Sequence, residues 1–284
     1  VSPPRIPQPI AFQGEPGAYS EGALLAFFGE DAQTLPCESF DEAFAAVERG
    51  DAGAAILPIE NTLGGSIHRN YDLMLRHDFH IVGELNSPIH HQLLALPGVT
   101  LEEITTAWSH PQALAQCEFT LDRLGVTREP TYDTAGSAKM VREQGRRDVA
   151  AIASRRAAEV YDLVILQENV EDEPDNLTRF VVLAREPVSV PEGVPAKCSL
   201  VFSLHNEPGA LFKAMAVFAL RNLDLTKLES RPLRGRKWEY FFYLDVAASL
   251  DEQPLQRALV HLSELTTFQR VLGSYPRHYE MRDA

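Results

Sequence analysis

Asn176-Leu177-Thr178-Arg179-Phe180 sets a hydroxyl and a guanidinium side by side, just ahead of the apolar run Phe180-Val181-Val182-Leu183. A hydroxyl can meet a leaving group with a hydrogen bond or a proton, and a guanidinium fork suits a planar carboxylate. The acidic segment before it, Glu171-Asp172-Glu173-Pro174-Asp175, reads as a solvated loop, so Thr178 and Arg179 are expected on a loop-to-strand edge. The same five residues also fit a Thr that opens a strand beside a surface Arg paired with an acid of 171–175.

Four other stretches carry the residue types that bind carboxylates. They are Gln13-Gly14-Glu15-Pro16-Gly17-Ala18-Tyr19-Ser20, Pro58-Ile59-Glu60-Asn61-Thr62-Leu63-Gly64-Gly65-Ser66, Ser109-His110-Pro111-Gln112 and Asp133-Thr134-Ala135-Gly136-Ser137-Ala138. Each reads as a turn before a helix, where free backbone N–H groups and hydroxyls converge, and each also fits plain helix capping. None has the spacing of a dinucleotide fingerprint or a phosphate loop with its Lys, so no nucleotide cofactor is expected. His77, His80 and the pair His90-His91 have no Cys or carboxylate at ligand spacing, so no metal is expected and the histidines read as surface or packing residues.

The elements that must hold these residues alternate. Strand-like runs at 10–12, 54–57, 105–108 and 149–152 are followed by helical spacing at 20–28, 66–75, 111–124 and 154–161. That order predicts an α/β domain with mostly parallel strands and helices on both faces, whose ligands sit beyond the carboxyl ends of the strands. Three prolines and a glycine between 185 and 195 interrupt both periods and predict a stiff linker. Beyond it, strands at 198–204, 223–232, 238–246 and 268–275 and helices at 210–220 and 254–265 predict a ferredoxin-like βαββαβ unit turning at Arg234-Gly235-Arg236. Its sheet edge suits a small effector and pairing with a second copy.

On these residues the chain resembles the prephenate dehydratase and arogenate dehydratase family over nearly its whole length. The family's glycine-rich opening is similar to Gly14-Glu15-Pro16-Gly17-Ala18-Tyr19-Ser20, its Pro-Ile-Glu-Asn motif to residues 58–61, and its Thr-Arg-Phe motif to residues 178–180. The C-terminal part resembles an ACT domain of the phenylalanine-binding kind through Asn206-Glu207-Pro208-Gly209-Ala210-Leu211 and Glu229-Ser230-Arg231-Pro232. Thr62 departs from the family's usual Ser, and Ala18-Tyr19 from its Thr-Phe, which leaves the Tyr19 phenol without an assigned role. The stretches 64–73 and 271–276 resemble the plant-type arogenate enzymes, so both substrates stay open.

The resemblance implies a two-lobed, periplasmic-binding-protein-like α/β catalytic domain at 8–186, a linker at 187–196 and a ferredoxin-like ACT α+β domain at 197–277. It implies loss of CO2 and hydroxide from prephenate to give phenylpyruvate, or from arogenate to give phenylalanine, with no cofactor because aromatisation drives the reaction. Thr178 is then the donor to the leaving C4 hydroxyl, Arg179 the partner of the side-chain carboxylate, and Phe180 and Asn176 complete the motif, Asn176 orienting it. Asn61, Thr62, Ser66, Ser109, Gln112, Thr134 and Ser137 form the expected polar lining, with Glu60 held back to a supporting contact. In the ACT part, Asn206, Pro208, Gly209, Ala210, Leu211, Glu229 and Ser230 are expected to bind phenylalanine as feedback effector in a homodimer or homotetramer. A non-catalytic amino-acid or carboxylate sensor is the rival from another class.

Composition narrows the partners further. The 284 residues carry a net charge of −14, with scattered basic residues, which argues against nucleic acid and anionic membranes. Hydrophobic residues at 45% and charged residues at 23% fit a globular enzyme. Three distant cysteines argue for a reducing compartment, with the cytoplasm as default. Val1-Ser2-Pro3-Pro4-Arg5 reads as neither signal nor transit peptide, although the absent initiator Met leaves an upstream targeting segment open.

Overall fold

The computed structural model describes residues 6–232 and 239–278. The expected turn at Arg234-Gly235-Arg236 and a strand start at Trp238 lie outside the described residues. Contacts cluster into two compact units, 6–77 with 85–181, and 78–84 with 182–278. No helix among the described residues is long and apolar enough to cross a membrane.

The chain opens with β1 (Ile10–Gln13), α1 (Tyr19–Phe28), β2 (Thr34–Cys37), α2 (Phe40–Arg49), β3 (Ala54–Asn61), β4 (Gly65–Ser66), α3 (His68–Arg76) and β5 (His80–Pro88). It continues through β6 (Gln92–Ala95), β7 (Thr106–Ser109), α4 (Pro111–Gln116), α5 (Glu118–Leu124), β8 (Thr127–Pro130), α6 (Thr134–Gln144), β9 (Val149–Ala153), α7 (Arg155–Val160) and β10 (Val164–Gln167). Then follow β11 (Leu177–Ala184), β12 (Ala196–Leu204), α8 (Ala210–Ala219), β13 (Leu225–Pro232), β14 (Tyr240–Val246), α9 (Gln253–Ser263) and β15 (Thr266–Pro276).

The α/β part is two-lobed, with a separate sheet in each lobe. One sheet runs β2-β1-β3-β11-β5, with β4 hairpinned on β3, and the other runs β10-β6-β9-β7-β8. Parallel pairing holds for β1 with β2 and β3 and for β7 with β8 and β9, while β6 pairs antiparallel with β9 and β10. Residues 10–12, 54–57 and 149–153 are buried along their whole length, as expected of strands covered on both faces. Local signals end the helices as the sequence dictates: α2 starts on the Ser39 hydroxyl, which accepts from the Glu42 N–H, and stops at left-handed Gly50.

Two crossovers, 89–91 and 168–176, join the lobes and are stitched to each other. Ile89 N–H donates to the Asn176 carbonyl at 2.8 Å, and Val170 N–H to the His91 carbonyl at 2.8 Å. The lobes also meet at Gly17, where a Cβ would stand 2.8 Å from the Ala157 Cα and where the Ser154 hydroxyl donates to the Gly17 carbonyl at 2.5 Å. With φ at +88°, that position admits glycine for both reasons.

Several local expectations shift. Pro58-Ile59-Glu60-Asn61 is strand, not turn, because Glu60 and Asn61 pair with Ser66 and Gly65, leaving only 62–64 to turn. That hairpin puts Ser66 in β4 and delays α3 to His68. The expected helix over 111–124 breaks at Cys117 (φ −118°, ψ 17°), where the Asp172 carboxylate accepts from the N–H groups of Phe119 and Thr120 and so starts a second helix. Residues 171–175 are not simply solvated, since the Glu171 carboxylate is only 3% exposed and accepts from the His91 N–H at 2.8 Å. Thr178 and Arg179 are the second and third residues of β11, where the 168–176 crossover runs into the strand.

In the second unit, β12, β13, β14 and β15 form a sheet in the order β13-β14-β12-β15, with α8 and α9 packed on it, which is the ferredoxin-like βαββαβ arrangement. Residues 78–84 belong to the same unit, where the Glu84 carboxylate accepts from the Lys197 ammonium at 2.8 Å, both side chains buried.

Candidate active site

Asn61 closes β3, and its side chain gathers the Thr178 segment. Its Oδ1 accepts from the N–H groups of Leu63 at 3.1 Å and Gly64 at 2.7 Å, so the turn after β3 fixes which end of the amide faces which way. The Nδ2 group therefore points at β11, donating to Asn176 Oδ1 at 2.6 Å, Thr178 Oγ1 at 2.9 Å and the Leu177 carbonyl at 3.2 Å. Thr62 clamps the same segment: its N–H donates to the Leu177 carbonyl, its hydroxyl to the Asp175 carbonyl, and the Leu177 N–H returns a bond to that hydroxyl at 3.0 Å. The methyl group that Thr carries beyond Ser is accommodated on an exposed turn.

Thr178 is 7% exposed, and its oxygen accepts from Asn61. Among the described residues, no acceptor lies within hydrogen-bond reach of its own O–H. The hydroxyl thus accepts from Asn61 and keeps its own hydrogen uncommitted, so it can act as a donor. Arg179 is half-buried beside it, and Phe180 is core. The carboxylates of Glu171 and Asp172 are occupied with the His90 imidazole and the His91 N–H, and with the start of α5.

Behind Asn176 the polar chain continues. Asn176 Nδ2 donates to Gln116 Oε1 at 3.3 Å, which lies 2.8 Å from His91 Nε2. His91 Nδ1 lies 2.7 Å from the Tyr19 hydroxyl, the two rings meeting edge to face. Burial lowers the His91 pKa, against the opposing pull of Gln116 and Glu171, and burial raises the Tyr19 phenol well above its usual value. Both side chains are therefore neutral near pH 7. Sequence reasoning missed this chain, since nothing in the spacing of Tyr19, His91 and Gln116 announces it.

The four turns meet in pairs across the lobes. Glu15 N–H donates to the Asp133 carboxylate at 3.2 Å, bringing the first and fourth together. A Cβ on Gly64 would stand 2.0 Å from Gln112 Nε2, bringing the second to the third. Within them the side chains have different employment. Ser109 is fully buried and donates to the Ile152 carbonyl at 2.6 Å, and Ser137, equally buried, bonds the Asp133 carbonyl and the Thr131 hydroxyl. Thr134 donates to Asp133 Oδ1 at 3.3 Å, while Gln112 is exposed at the start of α4 and Ser66 is half-buried in β4.

A family model described as prephenate dehydratase matches residues 10–188. The chain belongs to the prephenate dehydratase family. Arogenate dehydratase/prephenate dehydratase 2, chloroplastic, of Arabidopsis thaliana is 52% identical over 276 residues, spanning 94% of this chain and 72% of its own. A solved prephenate dehydratase from Arthrobacter aurescens, in complex with L-Phe, superposes with a TM-score of 0.86 at 33% identity, over 94% of this chain and 89% of that one. A solved structure described as GqqA, a novel type of quorum quenching acylase, superposes with a TM-score of 0.89 at 40% identity, over 96% of this chain and 99% of that one. The family's three motifs meet here in one network: the glycine-rich opening through Tyr19, Pro-Ile-Glu-Asn through Asn61, and Thr-Arg-Phe through Thr178.

Of the expected effector residues, Asn206, Pro208 and Gly209 lie in the loop before α8, Ala210 and Leu211 open that helix, and Glu229 and Ser230 lie in β13. Gly209 is left-handed (φ +79°) at the N-cap of α8, with no neighbour near its missing Cβ, and the loop 205–209 is exposed. Ser203 pairs with Phe241 and Phe241 with Arg231, so Ser230 and the Asn206 loop share one end of the sheet two strands apart, about 10 Å. Glu229 is already engaged by Lys227 at 3.1 Å.

Proposed function

We propose that the protein removes CO2 and hydroxide from prephenate, giving phenylpyruvate on the way to L-phenylalanine, and that Thr178 assists the departure of the hydroxyl. The ring carboxylate's C–C bond breaks and its electron pair enters the ring, while the C4–O bond breaks with its pair leaving on oxygen. Thr178 donates a hydrogen bond to that oxygen, or passes on a proton, because a free alkoxide is too unstable for it to act as a full acid at neutral pH. The observation that carries this reading is the Asn61 donation into Thr178 Oγ1, which leaves the hydroxyl's own hydrogen uncommitted among the described residues. Arg179 binds the side-chain carboxylate, which keeps its charge throughout; an ion pair to the departing carboxylate would favour the ground state. The chemistry is assigned to 8–186, with 187–196 as linker and 197–277 as the regulatory part.

Arogenate as substrate is the second reading, favoured by the double name of the Arabidopsis relative. Acylase activity, named for the GqqA structure, calls for an activated nucleophile if it works by covalent catalysis, whereas Thr178 has no base within reach among the described residues and its oxygen receives a hydrogen bond. Parallel assays decide: phenylpyruvate absorbance from prephenate, phenylalanine from arogenate, and acid release from an acyl amide. Activity on the amide alone would overturn the dehydratase reading, and activity on none would favour the sensor.

Phenylalanine is proposed as effector at Asn206, Pro208, Gly209, Ala210, Leu211, Glu229 and Ser230, because α8 opens there with no side chain capping its N-terminus and the Arthrobacter protein is described with L-Phe. Edge strand β13 and the exposed Phe212, 77% accessible, fit a homodimer or homotetramer, which light scattering would size. A cytoplasmic location accords with three buried free cysteines; the Arabidopsis relative is named chloroplastic, and fractionation of the source cells separates the two.

A further inference from the structure

We infer that Tyr19, His91 and Gln116 are positioning residues that hold the Thr178 hydroxyl in its donating orientation, acting through Asn176 and Asn61. The inference rests on the proposed role of Thr178. It follows from counting hydrogens along the chain of contacts. The backbone N–H groups of Leu63 and Gly64 both point at Asn61 Oδ1, so its Nδ2 must face Asn176 Oδ1 and Thr178 Oγ1. Asn176 then has only its Nδ2 left for Gln116, whose Oε1 becomes an acceptor. An acceptor 2.8 Å from His91 Nε2 requires the proton on that nitrogen, which leaves a lone pair on Nδ1. The Tyr19 hydroxyl, 2.7 Å away, must donate to it in preference to the His90 carbonyl at 3.0 Å.

Every bond in the chain therefore has one allowed direction. Reversing any member would oppose two N–H groups or two oxygens in a buried setting, where an unsatisfied polar group is costly. His91 is 2% exposed and Asn176 1% exposed, so water cannot substitute freely. The chain also joins the two lobes. Tyr19 starts α1 and Asn61 ends β3 in one lobe, Gln116 ends α4 in the other, and His91 and Asn176 lie on the two crossovers. Gln116 supplies the acceptor that both crossovers use, so the lobe carrying α4 must be in place for Asn176 to hold its oxygen toward Asn61. Without that hold, the Asn61 hydrogen now given to Asn176 Oδ1 can turn to the Leu177 carbonyl, 3.2 Å away, and the bond to Thr178 loosens.

The test uses the full chain. Gln116→Leu is expected to lower kcat roughly 10-fold at unchanged KM, the scale of one hydrogen bond lost. Gln116→Glu, which presents only acceptors to the same two N–H groups, should restore most of kcat, and a Leu variant that fails merely by misfolding would show in its melting curve. In a Thr178→Val background, Gln116→Leu should cost nothing further. An equal loss in both backgrounds would overturn the relay while leaving Thr178's role intact, and full activity of Thr178→Val would overturn that role itself. Should the double variant turn over too slowly to measure, nitrogen-15 NMR of His91 still decides, because a proton on Nδ1 at neutral pH contradicts the assigned directions.

Discussion

The Asn61 hairpin and the loop that opens α8 both carry an Asn followed three residues later by a Gly, yet they are held in opposite ways. Asn61 bonds partners 115 to 117 positions away, and all of its hydrogen-bonding atoms are occupied. The Asn206 loop is exposed, and its backbone bonds span two to four residues, from Glu207 to His205 and from Lys213 to Gly209. A buried network fixes direction as well as position, which suits a group that must donate on cue. An exposed helix N-terminus keeps N–H groups available to an incoming carboxylate, which suits an effector.

Asn61→Leu tests the first half of that contrast most severely. It strands the N–H groups of Leu63 and Gly64 as well as two acceptors on the β11 side, so turnover should fall by more than roughly 100-fold. The same variant should lose about 1–3 kcal/mol of stability for each group left buried and unpaired, read by denaturant titration. Wild-type stability in Asn61→Leu would mean that the network is not the rigid region described.

Thr178→Val should lower kcat by roughly 100-fold or more with little change in stability, while Thr178→Ser stays near wild type; the pair is read in steady-state assays. Comparable losses from Ser and Val would point to the methyl group and to packing.

Glycines sharpen the comparison on stability. Gly17→Ala forces a Cβ within 2.8 Å of the Ala157 backbone at positive φ, and should cost about 1–3 kcal/mol in a melting experiment. Gly209→Ala meets only the positive φ, so about 1 kcal/mol is expected, together with a weaker response to phenylalanine measured by calorimetry.

The smallest effect is one of pH. Because the folded-state pKa of His91 lies below its unfolded value, the unfolded chain binds more protons between the two. Its contribution is fully present above an unfolded pKa near 6.5 and is lost as pH falls through the folded value, with a slope of at most about 1.4 kcal/mol per pH unit. Denaturation of wild type and His91→Gln across that range should show wild type gaining on the variant as pH rises toward 6.5, with the gap constant above it.

Much of this was legible from local pattern. The buried strands at 10–12, 54–57 and 149–152, the ferredoxin-like order of the second unit and the prominence of Asn61 and Thr178 could be read from hydrophobic period and motif. The break at Cys117 could not, since its cause is a carboxylate at Asp172, and the periodicity on both sides of it is helical. Nor could the division of serines: Ser109 and Ser137 have the composition of a binding turn, but each spends its hydroxyl on a nearby carbonyl.

What the sequence determined by itself is the set of elements and the residues able to do the chemistry, because periodicity, capping and motif order act over short stretches of chain. Only the tertiary structure decided the direction of each hydrogen bond among Tyr19, His91, Gln116, Asn176, Asn61 and Thr178. Direction depends on which neighbour holds the proton, and these neighbours are brought together from positions 19 to 178 by two lobes and two crossovers.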